Sequence, residues 1–99
     1  MICSQLWGCN AYADYHYPFE KELGKAKKRG LNLLEIKEVM QKLISNTPLP
    51  MKHQNHLLTG DYVGYWECHI RPDWLLIYKL DDEKNTITFA RTGTHADLF

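Results

Sequence analysis

The sequence has no surplus of charge of either sign: twelve Lys and Arg offset twelve Asp and Glu. Such a chain has no overall field to draw it to nucleic acid or to a membrane surface, so any RNA contact must come from a local patch. Long apolar runs are missing too. No stretch approaches the roughly 20 residues a membrane helix needs, and no membrane association is expected. Ala11-Tyr12-Ala13 has the outline of a signal-peptidase site. However, no Lys or Arg precedes it, and Ser4, Gln5, Gly8 and Asn10 break the upstream run. Cysteine is scarce. Cys3, Cys9 and Cys68 are an odd number without a framework spacing, which points to a reducing cytoplasm rather than a disulfide scaffold.

What is present is ordinary globular material, 44% hydrophobic and 12% aromatic. A chain of 99 residues is near the usual size of one domain and can bury roughly 60–70% of its unfolded surface without metal or disulfide staples. The reading is a single domain over 1–99, with 1–17 as an atypical N-terminal segment.

Alternating aromatics over Asn10–Tyr17 suggest a short strand. Pro18 then suits a first helical turn, Phe19, Leu23 and Ala26 follow at helical spacing, and Gly30 supplies the stop. A second helix opens on Asn32 as cap, with Glu35 completing a capping-box-like pair. Its stripe is Leu33, Ile36, Met40, Leu43 and Ile44, and Asn46-Thr47-Pro48 ends it. Residues 47–61 read as a loop pinned by Leu57 and Leu58. Beyond Val63 the period becomes two. Tyr65–Arg71, Trp74–Leu80 and Thr86–Arg91 read as strands, joined through Pro72-Asp73 and through the polar Asp81–Asn85. The expected fold is α+β: two N-terminal helices packed on a curved antiparallel sheet, with the second sheet face open to form a site.

Acid–base work on a phosphodiester needs a proton acceptor, a proton donor and a cation for the developing charge. His56, His69 and His95 can serve the first two tasks, with Asp73 as an orienting or shuttling carboxylate and Arg91 as the cation. His53-x-x-His56 has a metal-ligand look, but no Cys-x-x-Cys pair completes a zinc site, and no metal or cofactor is expected. Cys68 and His69, as strand neighbours, should point to opposite faces. The basic run holding Lys25, Lys27, Lys28 and Arg29 is either a solvated helix face or a phosphate-backbone contact. Trp74 and Phe99 are either core or platforms for splayed bases.

His56-Leu57-Leu58-Thr59-Gly60, Tyr65-Trp66-Glu67-Cys68-His69, Arg71-Pro72-Asp73-Trp74 and the ending Arg91-Thr92-Gly93-Thr94-His95-Ala96-Asp97-Leu98-Phe99 resemble the YafQ branch of the RelE/ParE toxin superfamily. The resemblance implies an endoribonuclease toxin of a type II toxin–antitoxin system. Such a toxin cuts mRNA in the ribosomal A site without metal and is restrained by a cognate antitoxin. It places the site at His56, His69, Asp73, Trp74, Arg91, His95 and Phe99. Two other readings keep the fold: a gyrase-inhibiting toxin of the ParE type, and an inactive antitoxin-binding module. Gyrase inhibition by binding needs no acid–base residues, and the full His/Asp/Arg/His set favours the nuclease.

Overall fold

In the computed structural model, which describes residues 12–98, the chain begins in a short edge strand, β1 (Tyr12–Tyr15). It passes directly into helix α1 (Tyr17–Lys28), with Pro18 in the first turn and Phe19 and Ala26 buried. At the far end Gly30 takes a φ of 85°, its N–H donates to Lys27 O, and the Leu31 N–H donates to Ala26 O. That pair of bonds is a Schellman closure, which glycine makes without a Cβ penalty. Helix α2 (Leu33–Ile44) starts where Asn32 Oδ1 accepts the Leu34 N–H at 3.0 Å. The expected capping box does not close. Glu35 turns its carboxylate to Arg71, whose Nε donates at 2.9 Å, because an ionic partner outcompetes a neutral N–H. Asn46, in the left-handed region, repeats the Schellman closure at the end of α2.

The stretch expected as a loop over 47–61 carries short structure. It holds single turns of 3-10 helix at Met51–His53 and Gly60–Tyr62, and a two-residue strand β2 (His56–Leu57). Leu58 is half-buried, while Leu57 stays exposed. Three strands then run β3 (Trp66–Arg71), β4 (Trp74–Asp81) and β5 (Thr86–Gly93), and a one-turn helix α3 (His95–Leu98) follows.

The five-stranded sheet has the order β1-β5-β4-β3-β2. It is antiparallel except at one edge, where β1 pairs parallel with β5 and Tyr12 stands opposite Thr86. The expected antiparallel sheet is therefore mixed. Tight turns join β3, β4 and β5, whereas both helices and three strands separate β1 from β5, and that length permits a parallel return.

Side-chain alternation sends Cys68, Ile70, Trp74, Leu76, Tyr78, Ile87 and Phe89 against Phe19, Ala26, Ile36, Val39 and Met40 of the helices. The second face is not open as expected. Leu75, Ile77, Ala90 and Leu98 form a smaller core there, flanked by Leu58, Tyr62 and Tyr65. A register shift in the β4–β5 pairing places Tyr78 opposite Phe89 but Ile77 opposite Arg91, so Ala90 is the extra residue of a bulge. The bulge resets the alternation. Arg91 falls opposite Ile77 on the second face, and Thr92 returns to the helix side.

Candidate active site

The site is built on the second sheet face from β2, β3, the β3–β4 turn and the β5–α3 junction. Glu67 and His69 lie two apart on β3 and so share a face, and His56 of β2 stands opposite Glu67. Glu67 Oε1 is 3.3 Å from His56 Nε2 and 3.4 Å from His69 Nε2, with the Glu67 side chain only 5% exposed. The His56 ring turns its other nitrogen to Gln54 O at 2.7 Å. His69 meets His95 edge to face, ring centroids 6.0 Å apart, and His95 Nδ1 lies 3.6 Å from Asp73 Oδ1. His56, Glu67, His69, His95 and Asp73 thus form one file of titratable groups.

Leu98, buried in the second core, anchors α3 and so presents His95 to this file. Asp73 comes from the two-residue turn between Arg71 and Trp74, which face each other across the strands. His53 is buried, with Nδ1 2.6 Å from His69 O, and serves to fix the backbone of β3. Its ring does not join His56 in a ligand pair. Among the described residues no group of three or more His, Cys, Asp or Glu could hold a metal ion. Cys68 points to the helix side, away from His69, and burial followed by the Glu67 charge pushes its thiol up to about 12. A thiol held protonated in this way is no nucleophile.

Arg91 enters from the end of β5. Its Nε and Nη2 donate to the Glu22 carboxylate at 2.9 and 2.7 Å, and Nη1 donates to Tyr62 Oη at 3.2 Å. The hydrogen bond to Glu22 leads in raising Arg91 above the ordinary guanidinium value, against the opposing effect of its partial burial. Glu22 thus takes the guanidinium side-on and Tyr62 takes one N–H of Nη1, which leaves two of the five N–H groups for a second oxyanion. A cleft of about 140 Å³ opens beside it, lined among others by Lys25, Asp73, Trp74, Arg91 and Thr94.

The remaining expected residues fall differently. Trp74 is 2% exposed and belongs to the main core, its indole N–H donating to Thr92 Oγ1 at 3.0 Å. A base cannot stack on a ring so enclosed, and Trp74 contributes a wall. Lys25, Lys27 and Lys28 are exposed on α1, whereas Arg29 is engaged with Asp97 at 2.8 Å. Phe99, Cys3 and Cys9 lie outside the described residues. Two carboxylates of the site, Glu67 and Glu22, were not singled out in the sequence. Glu67 could have been found from its phase with His69 on β3, but no local signal marks Glu22.

A helix-backed sheet with three imidazoles, carboxylates and a clamped guanidinium at one end defines a small α+β protein equipped for acid–base chemistry on an anionic substrate. The family is more specific. Residues 12–99 match the family described as bacterial toxin of type II toxin–antitoxin system, YafQ, and the chain belongs to it. The mRNA interferase toxin YafQ of Escherichia coli K12 is 44% identical over 87 residues, covering 87% of this chain and 92% of that protein. A putative toxin YafQ of Haemophilus influenzae is 33% identical over 88 residues, covering 84% and 86%. The fold matches a chain of the crystal structure of the E. coli DinJ–YafQ toxin–antitoxin complex with a TM-score of 0.83 and 41% identity. That match covers 91% of this chain and 98% of the other.

Proposed function

We propose that this protein is the toxin of a type II toxin–antitoxin system, a ribosome-dependent mRNA endoribonuclease that acts in the cytoplasm. The observation that carries this reading is the file from His56 through Glu67 and His69 to His95 and Asp73, with the clamped Arg91 lining the same cleft as Asp73.

In the proposed reaction an RNA 2′-oxygen attacks its own phosphorus. The 2′-O–P bond forms, the P–O5′ bond breaks, and the products are a cyclic phosphate and a 5′-hydroxyl. One group takes the 2′-hydroxyl proton and another gives a proton to the leaving 5′-oxygen. His95 is assigned one of these transfers, with His69 or His56 supplying the other and Asp73 orienting His95. The N–H groups of Arg91 that Glu22 and Tyr62 leave over are assigned to the charge that grows on the phosphoryl oxygens. No metal is required by this scheme. Lys25, Lys27 and Lys28 are candidate contacts to RNA phosphates, and Phe99 a candidate base contact.

The partner restraining the toxin is a cognate antitoxin, a reading supported by the 41% identical chain solved in a toxin–antitoxin complex. The odd number of cysteines agrees with a cytoplasmic site of action.

Primer extension on an mRNA under translation in vitro tests the reading, with parallel lanes lacking ribosomes. Codon-phased cuts that need ribosomes are expected. Cuts of equal strength on naked RNA would contradict the ribosome requirement, and no cuts from folded protein would favour gyrase inhibition or a binding module.

A further inference from the structure

Arg29 closes the basic run of α1, yet it is engaged by the protein itself. Its Nη1 donates to Asp97 Oδ2 at 2.8 Å. The same oxygen accepts the Thr94 backbone N–H at 3.0 Å, and Thr94 Oγ1 accepts the Asp97 N–H at 3.2 Å. Thr94 and Asp97 therefore cap each other across the single turn of α3. Gly93 leaves the room this needs, since a Cβ there would come within 3.0 Å of Asp97 Cβ and Oδ2. Arg29, and after it the Thr94 N–H, holds the Asp97 carboxyl well below the ordinary carboxylate range.

Roughly two turns earlier on the same face of α1 stands Glu22. It grips Arg91 side-on and also accepts the Thr92 N–H at 3.2 Å. A helix of one turn has no stability of its own. The placement of His95 therefore depends on what ties α3 down, including Leu98 in the second core, Tyr62 Oη on Leu98 O, the His95 N–H on Asp73, and Asp97 on Arg29.

We propose that Glu22 and Arg29 are positioning residues, two struts on one side of α1 and its C-cap that fix the Arg91–Asp97 segment so that Arg91 and His95 are presented together. The proposal rests on the nuclease reading above, and it removes Arg29 from the expected RNA contacts.

A carboxylate that merely repelled phosphate would, once removed, strengthen RNA binding and speed cleavage. A strut, once removed, slows it. Cleavage of a defined mRNA on programmed ribosomes is measured against toxin concentration for wild type, Glu22→Gln, Arg29→Gln, Asp97→Asn and the Arg29→Gln/Asp97→Asn pair. Each single variant is expected to lower the saturating rate about three- to tenfold. Half-saturation stays unchanged or falls, and the pair is no slower than its worse member. By NMR, the pH midpoint seen at the Thr94 amide is expected below the ordinary Asp value of about 3.9 in wild type and to rise in Arg29→Gln.

The proposal is overturned if Asp97→Asn speeds cleavage, if the Arg29 and Asp97 effects add, or if Arg29→Gln raises half-saturation and flattens the salt dependence. His95→Ala in the same assay separates the two readings. Wild-type cleavage by that variant would remove the nuclease site. An inactive His95→Ala beside additive Arg29 and Asp97 effects would remove the struts alone.

Discussion

Glu67 Oε1 lies 3.4 Å from His69 Nε2, two residues along β3 and on the same face of the sheet. A buried carboxylate so placed orients the imidazole. Its reach to His56 at 3.3 Å couples two strands to one oxygen. Glu67→Gln keeps the shape and removes the charge. The cleavage rate is expected to fall at least about tenfold with the fold intact by circular dichroism. A wild-type rate would reduce Glu67 to packing.

Arg91 holds Glu22 with one edge and is proposed to meet the phosphate with the N–H groups that Glu22 and Tyr62 leave over. Lysine offers a point charge and no second edge. Arg91→Ala is expected to cost roughly a hundred- to a thousandfold in rate, and Arg91→Lys to recover little of it. Single-turnover cleavage on programmed ribosomes checks both variants. Full rescue by lysine would show that charge alone is needed there.

Trp74 is read as a structural wall because its indole N–H is buried against Thr92 Oγ1, whose own O–H goes to Leu75 O at 2.7 Å. Trp74→Phe leaves the Thr92 hydroxyl short of a donor and is expected to destabilise the fold by about 1–3 kcal/mol. Urea melts measure the loss. Unchanged stability with lost activity would return Trp74 to the substrate.

Much of the local structure was legible because its signals are local. The Asn32 cap, the glycine stop at Gly30, the Pro72-Asp73 turn and the period-two strands appear near their expected places. The opposite orientation of Cys68 and His69 likewise follows from the pleat alone. Long-range choices were not legible. The parallel return of β1 to β5 and the covering of the second face by Leu58, Tyr62 and Leu98 depend on packing across the whole chain. Within the site, the histidines and Asp73 carried motif signals, whereas Glu22 meets Arg91 across 69 residues of sequence. Nor was it legible that the Trp74 ring is enclosed in the main core or that Arg29 pairs with Asp97 across 68 residues of sequence.

Acid should loosen the α1–α3 tie in a defined order. Asp97 is held below its unfolded value, chiefly by Arg29, so its contribution to stability is complete above an unfolded pKa of about 3.9 and is lost as pH falls through the folded one. Stability is therefore expected to hold through mild acid, with the Asp97 contribution disappearing only below about pH 4. Denaturant melts at stepped pH, with Asp97→Asn beside wild type, isolate it. Identical slopes for the two proteins would deny the pairing any part in acid stability.

The most direct test of the account is end-group analysis of mRNA cut on programmed ribosomes by wild type and by His95→Ala, at matched amounts of folded protein. Wild type is expected to leave cyclic-phosphate and 5′-hydroxyl ends, and His95→Ala to cleave at least about a hundredfold more slowly. Undiminished cleavage by His95→Ala, or 5′-phosphate ends from wild type, would contradict it.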